Sequence, residues 1–329
     1  MVRLSIIVPI YNAGARLVKL LDSLLNQTIQ DMNILCILDC PTDGSDRVCF
    51  QYAAKDKRII PIVNSKNLGI GASRNIGIEE AIKRGAVYIG FADHDDYLEK
   101  NAYELMLNCA NKNRGGGVDV VFANSVIEHV DGSDIVTFRK PTSDGIVESL
   151  LLPMTSIRNN NYLARSVWHS IYKLDFIRKN GIRFLNRNTY FEEDTLFNLE
   201  VYTQTSEIRY LDKVVYHWVK YDESTSEKYD THDIEIEKIL NFLQKEWEIL
   251  KQYTQGEYKE YYYVMVSYFL RRYYSIIKQK DSKYLQRLAQ LLIKSGFPVL
   301  GRYENLKWLS KIRIKLFFFI VKLKMQKYA

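Results

Sequence analysis

Tyr88-Ile89-Gly90-Phe91-Ala92-Asp93-His94-Asp95-Asp96 sets an apolar run directly against three carboxylates. Val87 to Ala92 has the continuity of a strand buried on both faces, and the acids begin where it ends. Three similar runs precede it: Leu4 to Ile10, Asn33 to Leu38 and Arg58 to Val63. Between them lie stretches of helical texture. Arg16 to Gln27 carries Leu17, Leu20, Leu21, Leu24 and Leu25 at helical spacing, and Asp46 to Lys57 and Ala72 to Arg84 follow. This alternation predicts an α/β fold, with a mostly parallel, Rossmann-like central sheet flanked by helices. Ligands of such sheets bind beyond the carboxyl ends of the strands. The loops to read for chemistry are therefore those after Ile10, Leu38, Val63 and Ala92.

Further along, Val118 to Val130 reads as a strand, Gly132-Ser133 as a turn, and Glu192 to Thr203 as a helix. Beyond Asp230 the pattern is helical to the end. The expected organisation is one domain over 1–230 and a helical C-terminal region over 231–329 that ends in a basic amphipathic tail. There is no internal repeat and no low-complexity linker.

The 329 residues are 47% hydrophobic and 26% charged, which excludes disorder as the dominant state. The net charge of +7 suggests an anionic partner without naming one. From Arg302 to Ala329 there are eight Lys or Arg and one acid, Glu304, so the excess sits in the tail. Cys36, Cys40, Cys49 and Cys109 form no CxxC pair and no zinc spacing, which fits a reducing compartment. The N-terminus leads straight into the first strand without a signal peptide, and no apolar run approaches the ~20 residues of a spanning helix.

Packing Asp93, Asp95 and Asp96 so closely is costly unless a cation neutralises them. Hard carboxylate oxygens suit Mg2+ or Mn2+, ions that commonly bridge protein and diphosphate. The plainer reading is a solvated acidic turn. Asp39 ends the second strand, where a carboxylate accepts hydrogen bonds from a nucleobase or a ribose, or merely shapes a turn. Asn67-Leu68-Gly69-Ile70-Gly71-Ala72-Ser73-Arg74-Asn75 follows the third strand. Gly71 allows close backbone approach to a ligand, and Arg74 is suited to phosphate. It also reads as an ordinary strand-to-helix turn, and Arg74 stands where a dinucleotide fingerprint needs glycine. Glu192, Glu193 and Asp194 open a helix, as favourable capping or as a source of a general base. His217 is a core or hydrogen-bonded histidine, or alternatively a contact to metal or phosphate. Trp168 is a core aromatic or a platform on which an acceptor sugar stacks. In the tail, Lys307 to Lys324 alternates cations with apolar and aromatic residues, as a helix lying in a membrane interface does, or a packed helix with a basic outer face.

Together these segments resemble the family 2 glycosyltransferases, which have the GT-A fold, over roughly Leu4 to Ser226. Ser5 to Ala13 resembles the opening strand and nucleotide loop, which implies donor contacts from Pro9, Tyr11 and Asn12. Thr42-Asp43-Gly44-Ser45 resembles the end of the second-strand motif and puts Asp39 where the family holds its base-contacting aspartate. Asn67 to Asn75, with Gly71 and Arg74, resembles the next donor-binding segment. Phe91 to Leu98 resembles the DxD motif, and Glu193-Asp194 the ED motif. The resemblance implies Asp95 as main metal ligand, Asp93 holding metal and donor, His94 on the donor, and Asp194 as base beside Glu193. Cys40-Pro41 departs from the family's usual Asp-Gly-Ser turn, and Pro41 removes a backbone donor there.

The reading that follows is an inverting, Mn2+- or Mg2+-dependent glycosyltransferase using a nucleotide sugar, UDP-linked by expectation, and acting on a glycan or lipid-linked glycan of the cell surface. Its expected place is the cytoplasm, peripheral on the inner membrane face. The rivals are a sugar-phosphate nucleotidyltransferase and a non-catalytic nucleotide-sugar-binding scaffold. Nucleic acid is not an expected partner.

Overall fold

The computed structural model describes residues 3–111, 117–129, 135–138, 145–146, 166–190, 192–205, 207–221, 236–252, 284, 287–288 and 290–291. Val130, the Gly132-Ser133 turn, Phe191 and the tail from Lys307 to Lys324 lie outside these residues. The chain divides into two compact units, one of residues 1–187 with 192–225 and one of 188–191 with 226–329.

The first unit begins with β1 (Leu4–Ile10), α1 (Arg16–Leu25), β2 (Met32–Leu38), α2 (Ser45–Lys55), β3 (Ile59–Val63), α3 (Ile70–Lys83) and β4 (Tyr88–Phe91). These strands lie in the order β3-β2-β1-β4, all parallel. Every residue of β1 is buried, as a strand covered on both faces must be. On α1, Leu17, Leu20, Leu21 and Leu24 are buried. At roughly 1.5–3 kcal/mol for each fully buried side chain, that stripe fixes the helix on the sheet.

Beyond β4 come β5 (Tyr97–Leu98), α4 (Ala102–Ala110), β6 (Val120–His129), β7 (Ile135–Phe138), β8 (Gly145–Ile146), β9 (Ser170–Lys173), α5 (Leu174–Lys179), α6 (Glu193–Gln204) and β10 (Ile208–Lys220). The sheet continues as β4-β9-β6-β10-β5, with β7 on β6 and β8 on β10. Here only β6 and β10 run parallel; the other pairings are antiparallel. The sheet is therefore parallel in its first half and mixed in its second. β5 follows β4 after a short loop, too short for the crossover that would make it a parallel neighbour of β4, and it pairs antiparallel with β10.

Pro9 and Pro61 both fit their strands. The β1–β4 ladder ends at Ile7, so no strand faces the nitrogen of Pro9. β3 ends the strand order, and its even-numbered residues bond to β2, as Arg58 does through its carbonyl to Ile34 N–H at 2.7 Å. Pro61 therefore turns its nitrogen, which carries no hydrogen, to the open edge.

In the second unit, α7 (Ile236–Leu250) buries Ile239, Leu240 and Leu243 at helical spacing. Among the described residues, no helix is long and apolar enough to cross a membrane.

Candidate active site

The acidic loop after β4 is held from two sides. On one side His94 donates from Nδ1 to the Pro9 carbonyl at 3.2 Å, tying the loop to the end of β1. On the other side β10 passes close. Tyr216 Oη donates to Asp96 Oδ2 at 2.7 Å and accepts from Asp93 N–H at 3.0 Å. Asp96 Oδ1 accepts from Val219 N–H at 2.9 Å. Asp96 is buried, and burial together with Asp95 and Asp93 pushes its carboxyl well above the usual range.

Asp95 differs from its neighbour. Among the described residues no Lys or Arg forms an ion pair with it. Burial pushes its carboxyl up, and Asp93 adds to that against the pull of His94 and of Arg16. A carboxylate in that position gains from a cation. No three His, Cys, Asp or Glu converge as a ready-made metal cage among the described residues. One or two carboxylates at a strand end suit an ion that completes its shell with diphosphate and water, as Mg2+ does.

Arg74, on α3, is the hub of the second acidic group. It is only 1% exposed. Its Nη2 donates to Asp93 Oδ1 at 2.9 Å, and its Nη1 to Glu193 Oε1 at 3.4 Å and to Asp194 Oδ1. Burial alone would pull the guanidinium down, but Asp194, Asp93 and Glu193 outweigh it and raise it. The guanidinium expected to meet phosphate thus meets three carboxylates instead. Glu192, with φ +50, turns the chain into α6 and delivers Glu193 and Asp194 to this point. Loss of surrounding water pushes the Asp194 carboxyl up to about 8, with Arg74 pulling against it. The Asp194 side chain keeps 21% of its surface open.

The loops of β1 and β2 are laced together. Asn12, with φ +50, accepts from Thr42 N–H at 2.8 Å. Asp43 accepts from Gly14 N–H and Ser45 Oγ, both at 2.6 Å. Tyr11 stands 47% exposed between them. Asp39 is buried and accepts from Asn64 Nδ2, Leu68 N–H and Gly69 N–H, each at 2.8 Å. It shapes the β3–α3 loop, in which Gly69 adopts φ +85. Cys40, next in the chain, takes φ +57, and its thiol donates to the Asn64 carbonyl at 3.3 Å.

The sequence profile of the family described as Glycosyl transferase family 2 matches residues 5–179. This chain belongs to that family. It is 29% identical over 215 residues to EpsJ, an uncharacterized glycosyltransferase of Bacillus subtilis, covering 64% of this chain and 59% of that one. It is 25% identical over 309 residues to YibD, an uncharacterized glycosyltransferase of Escherichia coli, covering 89% and 85%. The solved structure of S. aureus TarS residues 1–349 in complex with UDP-GlcNAc matches with a TM-score of 0.68 at 20% identity, over 89% of this chain and 80% of that one. The mannosyltransferase PcManGT from Pyrobaculum calidifontis, in complex with GDP-Man and Mn2+, matches with a TM-score of 0.52 at 11% identity, over 98% and 86%. These likenesses show the fold, which is GT-A.

In this family 2 chain the structure gathers Asp93, Arg74, Glu193 and Asp194 at one point, from segments about a hundred residues apart. It separates others. His217 has both ring nitrogens at 2.9 Å from carboxylates, Nδ1 from Glu128 and Nε2 from Glu99, and its ring stacks on Tyr97. Its hydrogen bonds go to those groups and not to Asp93 or Asp95, because strand alternation turns it away from the side that Tyr216 faces. Gly71 is required by the protein itself: a Cβ there would lie 2.6 Å from the Leu185 carbonyl oxygen. Trp168 is buried and stacks on Tyr216, with ring centroids 4.6 Å apart. Tyr216 and Asn64 were not among the sequence candidates. Period-2 alternation in Val214 to Val219 separates Tyr216 from His217, but nothing local says what either one meets.

Proposed function

We propose that this chain transfers a sugar from a nucleotide-sugar donor to an acceptor hydroxyl, with inversion at the sugar carbon. The observation that carries the reading is Arg74, one buried guanidinium touching both Asp93 of the β4 loop and Asp194 at the start of α6. A donor-side acid and a base candidate thus share one anchor. Asp194 takes the acceptor proton as the hydroxyl oxygen attacks the sugar carbon. The bond from that carbon to the diphosphate breaks, and the nucleoside diphosphate leaves with the electron pair. Glu193 stays behind, buried against Arg74 and Arg187, and sets the approach of Asp194.

Asp95, helped by Asp93, would hold Mg2+ or Mn2+. Such an ion, when bound, neutralises charge on the leaving diphosphate. Complexes of related folds with UDP-GlcNAc and with GDP-Man and Mn2+ support a nucleotide-sugar donor, and the TarS likeness favours a UDP-sugar. Tyr11 and Asn12 lie on the donor's side of the sheet end. The basic tail supports a peripheral place at the inner membrane face, with a cell-surface glycan or lipid-linked glycan as acceptor.

The deciding experiment incubates the full chain with a panel of nucleotide sugars, Mn2+ and lipid-linked or free glycan acceptors. Transfer by the native chain and its loss in Asp194→Asn support the reading. Transfer by Asp194→Asn at the native rate removes Asp194 as the base. Flotation with anionic and neutral liposomes tests the tail: the anionic ones alone should carry the protein.

A further inference from the structure

We infer that Tyr216 is the positioning residue of the acidic loop: its single hydroxyl holds the Asp93 backbone and the Asp96 carboxylate so that Asp95 is aimed toward a divalent cation. The inference rests on the proposed metal-dependent reaction and assigns a role to a residue outside the acidic motifs.

Besides the Arg74 contact to Asp93 Oδ1, the loop from Asp93 to Asp96 has three anchors. Asp93 is held through its backbone N–H, His94 through its imidazole, and Asp96 through its carboxylate. The Tyr216 hydroxyl makes the first and shares in the third, as acceptor at 3.0 Å and as donor at 2.7 Å. Those are the two roles a phenol offers, and both are used on one four-residue turn. The phenol is itself fixed. Tyr216 is fully buried, and its ring stacks on Trp168 at an interplanar angle of 18°. Backbone pairing of Tyr216 with Leu98 and of Glu99 N–H with the Val215 carbonyl pins the outgoing end of the same loop to β10.

Asp96 and Asp95 thereby take opposite tasks. Asp96 accepts both a phenol and a backbone N–H, so its oxygens are occupied by the protein. Asp95 receives no such side-chain donor among the described residues. A ligand carboxylate held by its neighbours and not by its own hydrogen bonds depends on the supporting shell for aim.

Tyr216→Phe removes one oxygen and keeps the ring on Trp168. The test is calorimetry of Mn2+ binding to the full chain in the presence of UDP and without acceptor, so that no turnover contributes. UDP alone in chelator and the melting temperature are measured alongside. Mn2+ affinity should fall about 10- to 100-fold, as outer-shell changes typically do, with metal-free UDP affinity changed less than about threefold. A folded Tyr216→Phe protein that melts lower yet binds Mn2+ like the native chain overturns the inference, because the hydroxyl then serves only stability. If Tyr216→Phe does not fold, Trp168→Phe keeps the hydroxyl and trims its support. A loss of about threefold or more in Mn2+ affinity supports the role in that variant, and native affinity overturns it. A native chain that binds no Mn2+ with UDP overturns the metal reading and this inference with it. Native binding with an unaffected variant overturns this inference alone.

Discussion

The two acidic segments of this protein are held in different ways. Asp93 to Asp96 is set by neutral donors: a phenol, a backbone N–H, and an imidazole on a carbonyl. Glu193 and Asp194 are held by the full charge of Arg74. Neutral hydrogen bonds fix direction without adding positive charge, so burial pushes the Asp95 and Asp96 carboxyls up and leaves the first segment to gain from an external cation. A guanidinium offsets charge, so the second segment is compensated in part within the protein and keeps one partly open carboxylate. Asp93 belongs to both, with its N–H on Tyr216 and its Oδ1 on Arg74. The contrast teaches that clustered acids read alike in sequence and are told apart by the partners that hold them.

The contrast can be broken at its charged end. Asp194→Asn should lower kcat about 10²- to 10⁴-fold, the usual worth of a general base, with donor affinity nearly unchanged. Steady-state kinetics and donor titration read the two separately. Arg74→Met leaves buried Glu193 and partly buried Asp93 and Asp194 without their cation. Urea unfolding should show a loss of about 3–5 kcal/mol, as for other broken buried ion pairs. Arg74→Lys should recover only part of this, because an ammonium has no fork to span Asp93 and Asp194.

A pH profile sharpens the comparison. A general base at Asp194 would work as the ionised carboxylate, and its surroundings push it up to about 8. The kcat/KM should therefore climb with rising pH, by roughly tenfold per unit below the inflection, and level off above it. A folded Arg74→Lys protein should move that inflection upward if the ammonium sits farther from Asp194 than the guanidinium did. A profile flat from acid through neutral pH would separate Asp194 from the rate. The smallest effect belongs to His217→Gln. Its ring is engaged by Glu99 and Glu128 and not by Asp93 or Asp95, so Mn2+ affinity in the presence of UDP should change less than about twofold, or roughly 0.4 kcal/mol.

Much of this was legible in the chain itself. Leu4 to Ile10 is the first strand as read, and the helices at Arg16, Ser45 and Ile70 start within two residues of their expected starts. Burial on both faces makes such segments continuous in apolar character, and short connections fix their order. The second half of the sheet was harder. β5 has only two residues and β9 four, too few to show a period, and both are placed by strands distant in sequence. At the site, acids at a strand end could be read from position. The partner of Arg74 could not, since 120 residues separate it from Asp194. Asp39 shows the same limit. Its place at a strand end was visible, but its three donors come from Asn64, Leu68 and Gly69 in the next loop.

Pro61 carries a consequence for the protein at high concentration. Among the described residues β3 forms the outer margin of the parallel half, and a margin of unsatisfied amides invites another chain to add a strand. At the middle of β3 the ring of Pro61 supplies bulk where a visitor would seek a proton. Growth of copies along that margin is interrupted at its centre, which favours dispersed molecules over lateral ribbons.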